Sequence, residues 1–101
     1  MSTLERIKDN QIELLFTAIL TLKDKEECYK FFEDILTIAE IKAMGQRIAV
    51  AKMLKKGDTY TEISKETGAS TATISRVKRS LNYGADGYNL VLERLKQKGE
   101  I

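Results

Sequence analysis

The side chains whose types and spacing suit a chemical task lie between Tyr60 and Leu81, in Y-T-E-I-S-K-E-T-G-A-S-T-A-T-I-S-R-V-K-R-S-L. Ser70, Thr71, Ala72, Thr73 and Ser75 are short, four of them hydroxyls, and Arg76, Lys78 and Arg79 follow as cations. On one helix, short polar groups at the start can meet base edges in a DNA major groove while cations further along bind phosphates. Bond-making chemistry has little to work with. The chain holds 0 His and 1 Cys, which removes Ser/His/Asp and Cys/His nucleophile systems, zinc sites built from His or several Cys, and any intrachain disulfide. No catalytic residue and no metal ligand is therefore expected, and the chain does not read as an enzyme. Glu26, Glu27, Glu33 and Asp34 sit at ordinary helical spacing with no His beside them and form a solvated acidic face. Cys28 shares an apolar stripe with Phe31 and is expected as a buried small hydrophobe.

Two helices joined by a tight turn must hold the short polar and cationic residues in place. A helix-turn-helix needs a small inward residue where its helices approach, and Ser64 is expected there. It needs a sharp reversal, and Gly68 follows four residues later. Apolar anchors must seat the second helix, and Ile63, Ile74, Val77 and Leu81 occupy those places. Ser70 is positioned to cap that helix. With Ile74, Val77 and Leu81 inward, Thr71, Ala72, Ser75, Arg76 and Arg79 face out, flanked by Thr73 and Lys78.

The remaining chain supports that unit. With 101 residues, 43% hydrophobic and 32% charged, it is long enough for one soluble domain. There is no Pro, and Gly57, Gly68, Gly84 and Gly99 become the punctuation. The spacing predicts an all-α domain of six helices. The first is one long amphipathic helix over Leu4 to Leu22, opened by a Ser2–Glu5 capping box. The second follows Asp24 and Glu27 and carries Cys28, Phe31, Phe32 and Ile35. The third runs from the Thr37–Glu40 pair to Gly57 with the face Ile41, Met44, Ile48, Ala51 and Leu54. Two shorter helices span about 61–67 and 71–82, and the last bears Tyr88, Val91, Leu92 and Leu95. Residues 1–57 are expected to form a helical dimerisation core, 58–83 the helix-turn-helix and 84–101 a C-terminal helix. Phe16 and Leu20 widen the apolar face of the first helix, and self-association is its natural outlet. Gly45 sits inside a helix, where it asks for close packing or for room for a ligand.

No stretch is long enough to span a membrane, and Met1 to Asn10 lacks a secretory signal, so the expected location is the cytoplasm. Net charge is only +2, but it is unevenly spread: Met1 to Leu36 sums to −3, whereas Ile41 to Leu81 holds 9 basic and 3 acidic residues. That segment suits a polyanion.

At L-T-I-A-E-I-K-A-M-G-Q-R and G-A-S-T-A-T-I-S-R-V-K-R-S-L the chain resembles the Trp repressor superfamily, most closely its YerC/YecD-type branch. The resemblance covers roughly Leu36 to Leu95. It implies an intertwined all-helical homodimer that binds double-stranded DNA in a sequence-specific way and regulates transcription as a repressor. It further implies that Ala72 and Thr73 face bases, that Ser75 contacts a phosphate, and that Thr61 stands where an arginine reads guanine. Arg47 and Arg76 match the arginines that sandwich an indole, with Ser80 near the ligand's amino group. Val77 replaces the family's glycine and intrudes on the indole space, which disfavours tryptophan and leaves another small-molecule corepressor open. The alternative is a protein-interaction adaptor on the same scaffold, its acidic N-terminal half docking a basic partner.

Overall fold

A computed structural model of the chain describes residues 3–7 and 9–101. All regular structure among them is helical: α1 (Thr3–Ile7), α2 (Asn10–Ile19), α3 (Lys25–Ile35), α4 (Ile38–Lys56), α5 (Tyr60–Thr67), α6 (Thr71–Tyr83) and α7 (Gly87–Gln97). The all-α expectation holds, with one correction. The long first helix is two helices, because Asp9 leaves helical geometry (φ −86°, ψ 121°) and turns its carboxylate on the next turn. Its Oδ1 accepts from the Gln11 N–H at 2.7 Å and the Ile12 N–H at 3.2 Å. Aspartate stabilises a helix start better than a helix interior. The expected Ser2–Glu5 capping box involves Ser2, which lies outside the described residues.

The chain divides into two compact units, Met1–Ile41 and Lys42–Ile101. In the first, helix starts are written in side-chain caps. The Glu27 N–H donates to Asp24 Oδ1 at 2.9 Å, while Glu27 Oε1 accepts from the Lys23 N–H at 2.8 Å, one residue earlier than a capping box would have it. Thr37 and Glu40 form the full reciprocal box: the Thr37 N–H donates to Glu40 Oε1 at 2.9 Å and the Glu40 N–H to Thr37 Oγ1 at 3.1 Å. Both the Thr37 backbone N–H and its hydroxyl donate to the Glu40 carboxylate and hold its pKa below the ordinary glutamate value. Phe31 and Phe32 meet edge to face, ring centroids 5.4 Å apart. No described residue of this unit is buried. Leu4, Ile7, Leu14, Phe16 and Leu20 are exposed, Leu20 to 85%, and Cys28 is half-buried rather than buried.

The second unit has a core of Val50, Ala51, Ile63, Ala69, Ile74, Val77 and Leu92, with Ile48, Leu54, Tyr60, Leu81, Tyr88 and Leu95 packed against it. No described polar or charged residue is buried there. The inward face of α4 is thus centred on Val50 and Ala51, and Met44, expected inside, is 48% exposed. Glycines end α4 and α7 in the same way. At Gly57 (φ 96°) the Gly57 N–H donates to the Leu54 carbonyl and the Asp58 N–H to the Met53 carbonyl. Gly99 and Glu100 repeat the pattern on Lys96 and Leu95. Gly84 is required for a different reason. Its φ is −86°, but a Cβ there would lie 2.5 Å from the Ser80 carbonyl oxygen. Among the described residues, no helix is long and apolar enough to cross a membrane.

Candidate nucleic-acid interface

The helix-turn-helix is assembled from α5 and α6, with α6 also packed on α7. Thr59 opens α5, its Oγ1 accepting from the Glu62 N–H at 3.2 Å. At the other end Gly68 takes a left-handed conformation (φ 76°) that a side chain would strain. Its N–H returns to the Ser64 carbonyl at 2.8 Å. Thr67 ties the turn from both sides, its hydroxyl donating to the Ile63 carbonyl at 2.7 Å and accepting from the Ala69 N–H at 3.1 Å. Gln46 on α4 completes the brace, its Nε2 donating to the Thr67 carbonyl at 3.2 Å. One expectation is corrected here: Ser64 is exposed. The small residue under the turn is Ala69, 1% exposed, because the chain re-enters the core immediately after Gly68.

Ser70 caps α6, accepting from the Thr73 N–H at 3.1 Å and donating its hydroxyl to Thr73 Oγ1 at 3.1 Å. Ile74 and Val77 are buried and Leu81 is half-buried, so the inner face is seated as its spacing requires. That seating brings Ser70, Thr71, Ala72, Ser75, Arg76, Lys78 and Arg79 to the surface, with Thr73 half-buried beside its cap. The α6 first turn carries no acid. Among the described residues, Arg76, Lys78 and Arg79 have no carboxylate partner. Three unpaired cations with short side chains ahead of them, on a helix rooted in a rigid core, can hydrogen-bond and neutralise a polyanion.

Two residues that shape this surface escaped the sequence reading. Gln46 is a polar residue one helical turn before Val50 on the same face, a spacing that could have flagged it as braced. Tyr60, the first residue of α5, receives the Ser75 hydroxyl at 3.4 Å and lies under Lys78, whose Nζ is 5.8 Å from its ring centroid. Nothing in local spacing links positions fifteen apart.

The effector candidates are less concentrated. Arg47 on α4 and Arg76 on α6 are both exposed, Ser80 is half-buried, and Thr61 is exposed. Val77 is 3% exposed within the core. Its isopropyl group is packed among Val50, Ile63, Ile74 and Leu92, where a glycine would leave that volume unfilled. Among the described residues, no group of three or more Cys, Asp and Glu could hold a metal ion.

Comparison with known proteins bears on most of the chain. The family described as Trp repressor protein matches residues 10–96. The uncharacterised protein YerC of Bacillus subtilis is 54% identical over 94 residues, covering 93% of this chain and 90% of its own. The solved structure of a Trp repressor candidate from Staphylococcus aureus is similar at TM-score 0.89 and 51% identity, over 95% of this chain and 96% of the other. A TrpR-like protein from Eubacterium eligens gives 0.88 and 59%, over 91% and 95%.

Proposed function

Because the chain belongs to the Trp repressor family, we propose that it is a sequence-specific DNA-binding transcription regulator, a repressor, that lays α6 in the major groove as a homodimer. The observation that carries the reading is the outer face of α6, where Arg76, Lys78 and Arg79 stand exposed and without acidic partners among the described residues. In this arrangement Thr71, Ala72 and Thr73 discriminate bases at the helix start, Ser70 and Ser75 lie beside the backbone, and the three cations bind phosphates. Replacing Thr73 changes operator preference. Arg79→Ala weakens binding to all duplexes and lowers the salt slope by about 0.9 or less. A fluorescence titration of a labelled duplex across a salt series tests this, and the absence of salt-dependent binding would sink it.

The homodimer rests on the described residues of 3–41, none of which is fully buried within the chain and among which Leu4, Ile7, Leu14, Phe16 and Leu20 are exposed. Two protomers would bury them and present two copies of α6 to half-sites about one DNA turn apart. The site of action is the cytoplasm, where the DNA of the bacterial relatives lies. Tryptophan is not the effector in this reading, since Val77 stands where the family resemblance puts a glycine beside the indole. Calorimetry with tryptophan tests that point, and clear binding would overturn it; a different small-molecule corepressor stays compatible with Arg47, Arg76 and Ser80.

A further inference from the structure

We propose that Tyr60 is a positioning residue of the DNA interface, one that joins Ser75 and Lys78 into a cradle for a single backbone phosphate; the inference rests on the DNA-binding reading above. Ser75 and Lys78 are three residues apart on α6 and so share a face. Tyr60 comes from the other helix of the motif and touches both. Its hydroxyl accepts the Ser75 hydroxyl at 3.4 Å, and Lys78 Nζ stands 5.8 Å from its ring centroid, within cation–π range. The ring itself packs against the core, so it is a fixed platform rather than a second mobile arm.

Each contact has a consequence for an anion. Lys78 is exposed and has no carboxylate partner among the described residues. On a four-carbon stem such an ammonium would otherwise sample many rotamers. The aromatic face narrows that range and keeps the charge beside the helix-turn-helix surface. Ser75 gives its proton to Tyr60, which leaves the phenolic O–H free to donate outward. A phosphate oxygen at this spot would meet a phenol donor and an ammonium, both held by one residue. The charge comes from Lys78 and the placement from Tyr60.

The test separates placement from bulk. Full-length protein is titrated against a mixed-sequence, fluorescein-labelled duplex across a salt series, for the unchanged chain, Lys78→Ala, Tyr60→Leu, Tyr60→Phe and the Tyr60→Leu/Lys78→Ala double variant. Lys78→Ala should lower the salt slope by up to about 0.9, one phosphate contact. Tyr60→Leu should lower it by a similar amount although it removes no charge, and the double variant should lose no more than Lys78→Ala alone. Tyr60→Phe keeps the ring, so it should keep the slope and lose about ten- to a hundredfold in affinity, the worth of one hydrogen bond to a charged group. A residue that only packed would leave the slope unchanged in Tyr60→Leu and multiply its effect with that of Lys78→Ala; that result overturns the inference while DNA binding stands. An unchanged chain with no salt-dependent binding overturns both. If Tyr60→Leu does not fold, Tyr60→Phe paired with Ser75→Ala decides: non-additive losses support the cradle, and additive losses refute it.

Discussion

Val77→Ala examines the residue on which the effector argument turns. Val77 is 3% exposed and lies in the same core as Val50, Ile63, Ile74 and Leu92. Truncation removes two buried methyl groups, about 1.6 kcal/mol at roughly 0.8 kcal/mol each. The cavity left behind adds up to about 1 kcal/mol, and alanine's better helix propensity returns roughly 0.5 kcal/mol. The net loss is about 2 kcal/mol, which for a domain near this size lowers the thermal midpoint by about 10 °C. Urea unfolding followed by far-ultraviolet circular dichroism, at one fixed protein concentration, measures it. The midpoint should fall with the slope unchanged, and adding tryptophan should shift neither protein. A loss below about 0.5 kcal/mol would refute the reasoning, because position 77 would then be unfilled and the space beside Arg76 open to a ligand.

Gly84→Ala should destabilise by about 1–3 kcal/mol in thermal unfolding, since its Cβ meets the Ser80 carbonyl oxygen at 2.5 Å. Gly45→Ala is its opposite: nothing lies within 4 Å of a Cβ there, so the chain gains up to about 1 kcal/mol; a loss would show that something outside the chain packs on that glycine. Leu20→Glu should shift sedimentation toward the monomer, because it places a charge on a side chain that the proposed dimer buries. Glu40 titrates below the ordinary glutamate value, so its cap contributes stability that is complete above that value and lost as pH falls through the lower folded one. Thr37→Ala removes the hydroxyl donor but leaves the backbone N–H, the larger cause, so in an NMR titration the carboxyl should move only part of the way back to the ordinary value; an unmoved titration would mean the hydroxyl plays no part in lowering it.

The features legible in the sequence were those written in short range. Ile63, Ile74, Val77, Gly68 and the Ser70 cap follow from spacings of three and four, and they appear where expected. The two-piece N-terminal helix was missed because an apolar period continues across Asp9 while the capping carboxylate breaks the backbone beneath it. Ser64 was misplaced because a small residue is needed where the chain dives inward, and that point is set by the turn at Gly68 and falls on Ala69. The bracing of the turn by Gln46 and the reach of Tyr60 to α6 span 21 and 15 residues. Such pairings arise only once three helices are packed: local spacing can flag Gln46 as facing inward, but it names neither its partner nor that of Tyr60.

If the proposed dimer covers the described residues of 3–41, none of which is fully buried within one chain, dilution becomes a denaturant of this protein. A segment without a core cannot offset its own ordering entropy, so under the proposed dimer its stability belongs to the encounter of two chains. Each tenfold fall in concentration then withdraws about 1.4 kcal/mol from the assembled state. A cell making few copies would hold chains with open N-terminal halves, exposed to proteases. Doubling synthesis at that level would raise the assembled regulator about fourfold, so gene dosage itself sets a threshold for occupancy.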